Sequence, residues 1–200
     1  NSYAIYVINS TLDAGGGNIS LRGRTTYNDP GVRLTGTRLL TTGTGTIEVL
    51  GEGEGAYNGL NFNSGNTQIA TDSGDILLSG INGTTGSTAI SLYNNASVNI
   101  SSISGEIGLL GVKSNMTTSG TGLGIESGSS LYVGSPSDDS FTSSGDITVY
   151  LDYGTSIAGS LRFKSSGDLN ILSMAGPSFL SSVTLPSGSL EGIFDNVSIG

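Results

Sequence analysis

The chain has no cysteine, no histidine and no tryptophan among its 200 residues. Without cysteine there is no disulfide framework, no thiolate nucleophile and no cysteine-ligated metal. Without histidine the commonest general base and the commonest transition-metal ligand are both missing. Basic residues are few: seven Lys and Arg face 16 Asp and Glu, for a net charge of -9. That balance disfavours nucleic acid and anionic membrane surfaces as partners. No apolar run reaches the ~18 residues of a membrane-crossing helix, so the chain is not expected to span a membrane. It opens at Asn1-Ser2-Tyr3 and closes at Val197-Ser198-Ile199-Gly200 in repeat-like sequence, which reads as a processed or excised segment of a longer protein.

What is abundant is glycine, with 33 residues, alongside many Ser, Thr and Asn. Alone, that bias would suggest disorder. A regular phrase argues against it. Gly–polar–apolar–x–apolar recurs at Gly17 to Leu21, Gly45 to Val49, Gly74 to Leu78, Gly105 to Leu109, Gly145 to Val149 and Gly167 to Ile171. Before it stands a second phrase, apolar–x–apolar, at Ile5, Val32, Leu60, Ile90, Leu123 and Leu161. Its starts lie 27, 28, 30, 33 and 38 residues apart, the period of a solenoid coil. Alternation with period two is the strand pattern, and helical periodicity is absent.

These features predict an all-β chain: a right-handed parallel β-helix of about six coils, each of 27–38 residues with three short strands. Turn formers follow the first phrase at Asn9, Gly36, Ser64, Asn94, Ser127 and Ser165. Middle strands are expected around Leu39, Ile69, Val98 to Ile100, and Leu131 to Val133. Residues 1–172 hold the repeats, and 173–200 form a continuing or terminal coil. The sixth coil is ambiguous: either it lacks a middle strand, or Ile147 to Ile171 closes one compact coil.

Candidate chemistry is sparse. The residues before the third strands form a potential column: Asn18, Thr46, Asp75, Glu106, Asp146 and Asp168. Carboxylates stacked at strand spacing repel unless solvated or bridged by a cation, so Asp75, Glu106, Asp146 and Asp168 are candidate Ca²⁺ ligands. The simpler reading is a polar turn that keeps an edge soluble, and the incomplete ligand set favours it. Asp138 and Asp139 are the only adjacent acidic pair. With Asp146 they are the candidates for acid–base cleavage of a polysaccharide. The scattered basic residues and missing histidine favour a non-enzyme with no cofactor. Tyr6 and Tyr93 sit at or next to outward positions, suited either to stacking on sugar rings or to covering neighbouring coils.

The phrase Ser-Gly-Asp-Ile-x-Leu/Val at Ser73 to Leu78 and Ser144 to Val149 resembles large secreted bacterial exoproteins, as does Gly-Asn-Ile-Ser-Leu-x-Gly at Gly17 to Gly23. The likeness is to filamentous-haemagglutinin-like and autotransporter-passenger repeats of Gram-negative bacteria, including cyanobacteria. It covers about Ser2 to Leu172. It implies a β-helical shaft that is secreted, lies at the cell surface, and displays adhesive sites or builds fibres. The partners it implies are further copies, the rest of a longer β-helical polypeptide, or host-cell and matrix glycans.

Overall fold

The computed structural model describes residues 4–54, 57–83, 87–114, 120–134, 143–152, 154–172 and 197–199. The first coil holds β1 (Ile5–Ile8), β2 (Thr11–Asp13) and β3 (Ile19–Thr25). The second holds β4 (Val32–Thr35), β5 (Arg38–Leu40) and β6 (Ile47–Gly53), and the third β7 (Leu60–Asn63), β8 (Asn66–Thr71) and β9 (Ile76–Asn82). Then come β10 (Thr88–Tyr93), β11 (Ser97–Ser102) and β12 (Ile107–Lys113), followed by β13 (Thr121–Ile125), β14 (Ser130–Val133) and β15 (Ile147–Leu151). β16 (Thr155–Ile157), β17 (Ser160–Phe163) and β18 (Leu169–Leu172) complete the sixth coil, and β19 (Val197–Ile199) follows.

Every third strand falls in the same sheet. The first sheet runs β1-β4-β7-β10-β13-β16, the second β2-β5-β8-β11-β14-β17, and the third β3-β6-β9-β12-β15-β18-β19. The pairings are parallel throughout. The result is a β-solenoid of three parallel sheets that makes about five full turns between β1 and β16. Seven strands in the third sheet, at ~4.8 Å spacing, give it a length of roughly 29 Å.

Like stacks on like inside. In the third sheet Ile19, Ile47, Ile76, Ile107, Ile147 and Leu169 follow one another in register. In the second, Leu12, Leu39, Ile69, Ile100, Val133 and Phe163 do the same. Apart from the first coil, these side chains are almost fully buried. Each contributes about 1.5–3 kcal/mol by leaving water.

The sixth coil differs from the sequence expectation. Leu161 and Phe163 pair with Leu131 and Val133, which puts them in the middle strand rather than the first. The first strand is Thr155–Ile157, paired with Leu123–Ile125. The 38-residue spacing therefore linked strands of different sheets. Ser165 is likewise no first-corner residue. It is buried at the second corner, where its hydroxyl donates to the Gly145 carbonyl at 2.6 Å. The compact alternative is the one observed: Ile147 pairs with Leu169, and Asp146 and Asp168 stand 22 residues apart. β19 continues the third column, with Leu169 beside Val197 and Ile171 beside Ile199.

Two corners explain the turn residues. At the first, Asn9, Gly36, Ser64 and Asn94 all have positive φ, the conformation that Gly and Asn tolerate best. At the second, a buried hydroxyl column runs through Thr41, Thr71, Ser102, Ser143 and Ser165. Ser102 Oγ accepts from Gly105 N–H at 2.8 Å and donates to the Gly74 carbonyl at 3.0 Å. Each such hydroxyl satisfies backbone groups that the bend removes from the strand ladder.

Candidate functional site

The acidic column lies at this second corner, one residue before each third-sheet strand. Its members follow one another coil by coil, as the spacing predicts. Three of these six side chains, however, are engaged with the backbone of the next coil. Asn18 Oδ1 accepts from Thr46 N–H at 2.9 Å, Asp75 Oδ1 from Glu106 N–H at 2.9 Å, and Asp146 Oδ1 from Asp168 N–H at 2.8 Å. The matching carbonyls also serve the ladder: Ile47 N–H donates to Asp75 O, Ile76 to Glu106 O and Ile107 to Asp146 O. A short side-chain oxygen thus caps the amide of the next coil where the turning chain offers no carbonyl. That is Asx-type capping carried from coil to coil rather than along the chain.

Of the candidate ligands, Asp75, Glu106, Asp146 and Asp168 all belong to this column. No group of three or more His, Cys, Asp or Glu converges on a common point among the described residues. A Ca²⁺ ion takes six to eight oxygens around one centre, which these carboxylates do not assemble by themselves among the described residues. Of the candidates for polysaccharide cleavage, Asp138 and Asp139 lie outside the described residues. Asp146 is described, and one of its oxygens is held by the Asp168 amide.

Charge pairs that the repeat did not reveal stand on the outward face of the third sheet. Arg22 binds Glu48 with an Nη2–Oε2 separation of 2.7 Å. Arg24 pairs with Glu54 and approaches Glu52 at 3.7 Å. The hydrogen bond to Glu54, then the charges of Glu52 and Glu54, raise the Arg24 pKa further above its ordinary value. These pairs are solvent-facing and act mainly by neutralising charge on this face. Further along the same face apolar outward residues, Leu50 and Leu110 half-buried and Leu77 and Leu172 exposed, stand among the polar Ser79, Thr148 and Asn170.

On the outward face of the first sheet, Tyr6, Arg33, Asn61, Ser91, Gly124 and Ser156 follow in register. The Arg33 guanidinium lies 5.9 Å from the Tyr6 ring centre, and Arg33 Nε donates to Asn61 Oδ1 at 2.9 Å. Asn61 Nδ2 donates to Ser91 Oγ at 2.9 Å. On the second sheet the Arg162 guanidinium lies 4.9 Å from the Tyr132 ring centre. Tyr6 and Tyr132 therefore cover neighbouring coils through cation–π contacts.

No protein-family model matches the chain, no curated protein matches it, and no solved structure matches it. No helix among the described residues is long and apolar enough to cross a membrane.

Proposed function

We propose that the chain is a length of structural shaft from an extracellular surface protein or fibre, and that it joins end to end with further β-helical coil. The observation that carries this reading is the outer edge of the first coil. Among the described residues no strand lies beyond β1, β2 or β3. Ile5, Val7 and Leu12 are only half-buried there, whereas Val32, Leu34 and Leu39 in the next coil are 0% exposed. An open strand edge beside a half-covered core is a template for another strand. The partner that matches three such edges at once is another three-stranded coil.

The polarity of the edge follows from the hydrogen bonds. Ile5 N–H donates to Gly31 O and Asn9 N–H to Thr35 O, so the odd positions face the second coil. The amides of Tyr6 and Ile8 face the open side. The exposed Leu77 and Leu172 on the third sheet support side-by-side contacts as well. Secretion, cell-surface placement and adhesion to host-cell or matrix glycans rest on the likeness of the Ser-Gly-Asp-Ile phrases to exoprotein repeats.

Sedimentation velocity and electron microscopy over a range of concentrations test the shaft reading. The expected result is growth into longer rods with concentration, suppressed by Ile8→Pro, which removes an edge-facing amide. A chain that stays monomeric at every concentration would sink end-to-end joining by this segment.

A further inference from the structure

The outward row of the first sheet tapers along the rod, from Tyr6 through Arg33, Asn61 and Ser91 to Gly124. At Gly124 the row loses its side chain altogether. A depression of about 360 Å³ opens over it, bordered by Thr88, Tyr93, Thr121, Glu126 and Ser156. That volume lies within the range of small-ligand sites, roughly 300–1,000 Å³.

The residues around it combine in an informative way. Leu92 pairs with Ile125, which brings Tyr93, the last residue of β10, near Glu126, the residue after β13. The Glu126 carboxylate is fixed at one oxygen, because Oε2 accepts from Asn94 N–H at 2.9 Å. Its other oxygen, Oε1, is available as an acceptor. The hydroxyls of Thr88, Tyr93, Thr121 and Ser156 make no hydrogen bond among the described residues. The depression thus has an aromatic wall, one anchored carboxylate and several uncommitted hydroxyls. It has no cation.

We propose that this depression binds a neutral pyranose. A pyranose offers an apolar C–H face for an aromatic ring and a rim of hydroxyls that both donate and accept. A single anchored carboxylate suits that rim and repels uronates, sialylated sugars and sulfated sugars. The protein's net charge of -9 adds to that repulsion. A second depression, bordered by Asp13, Thr41, Asp72 and Ile103, lacks the aromatic wall. It has no aromatic residue, and it carries two carboxylates, Asp13 and Asp72, where the first has one. The pyranose site does not depend on the shaft reading, since a rod that fails to polymerise can still carry it.

Saturation-transfer NMR and calorimetry test the proposal with the methyl pyranosides of glucose, galactose, mannose and N-acetylglucosamine, with methyl glucuronoside as the charged control. At least one neutral pyranoside binds saturably, and the glucuronoside binds about tenfold more weakly or not at all. Tyr93→Ala weakens binding about tenfold, and Glu126→Gln weakens it less. The glutamine keeps an oxygen for the Asn94 amide and so preserves the local fold. Gly124→Val fills the floor and abolishes binding, with thermal unfolding as the check on folding. Failure of all four neutral sugars to bind overturns the proposal. So does equal binding of the glucuronoside, or unchanged affinity in a folded Tyr93→Ala.

Discussion

Gly105 lies directly against the carbonyl oxygen of Gly74 in the preceding coil. A Cβ at position 105 would fall well inside van der Waals contact with that oxygen and 2.9 Å from Ser102 Oγ. Gly145 stands in the same relation to Gly105, and Gly74 to Gly45. The glycine of the repeated phrase is therefore fixed by close approach between coils, and the phrase's period is the period of that contact.

Gly105→Ala follows as a severe lesion. The added carbon meets backbone, which cannot swing aside, so the corner must open and strain the hydroxyl bridge. The expected loss is about 3 kcal/mol, at the upper end for overpacking. Gly16 is the control, because nothing lies within 4 Å of its Cβ position and its φ is ordinary. Gly16→Ala should fall within about 0.5 kcal/mol of the parent. Urea unfolding of both variants checks this, and similar losses in the two would show that the contact is not what fixes the glycine.

Thr155 stands where the preceding coils place Ile5, Val32, Leu60, Ile90 and Leu123. Its Oγ1 is buried without a hydrogen-bond partner. Burying an unpaired hydroxyl is costly, and valine has nearly the same shape. Thr155→Val should raise stability by about 1 kcal/mol, read as a higher urea midpoint with an unchanged slope. A lower midpoint would mean that the hydroxyl has a partner in solution.

The acidic column separates two roles by substitution. Asp75→Asn keeps an oxygen for the Glu106 amide and should leave stability within about 0.5 kcal/mol of the parent. Asp75→Ala removes it and should cost about 1 kcal/mol, the usual effect of losing a side-chain cap. Neither Ca²⁺ nor EDTA should move the melting temperature of the parent. A rise on adding Ca²⁺ that Asp75→Asn abolishes would instead assign the column to metal binding.

These residues also show what could be read from the chain. Period-two pairs such as Ile76 and Leu78, tied to a glycine, reveal a strand and its inward face. They do not reveal which sheet the strand joins. Leu161-x-Phe163 has the same form as Leu60-x-Phe62, yet it belongs to the middle sheet, because the true first strand puts Thr155 in the inward column. The position of Asp75 was legible, but its role was not. That role depends on an amide 31 residues away, which only the register supplies. The Arg22–Glu48 pair and the notch at Gly124 are properties of outward rows, where no hydrophobic period marks the alignment. Tyr93 stood out as an outward aromatic, and its neighbour Glu126 emerged only from strand pairing.

Tyr150 gives a test of that outward face by pH. Loss of hydration raises its pKa above the usual 10, and the charge of Asp152 and a hydrogen bond to it raise the pKa further. The folded state therefore holds the phenolic proton more tightly than the unfolded state does. Stability from this group is fully present below about pH 10 and is lost as the pH climbs through the raised folded value. An absorbance titration of phenolate, with Tyr150→Phe as the difference reference, should place Tyr150 above the usual 10. Asp152→Asn should lower the Tyr150 value only part of the way, because desolvation is the larger cause. Full return to the ordinary value in that variant would make Asp152 the dominant cause, and the ring better hydrated than its place on the sheet indicates.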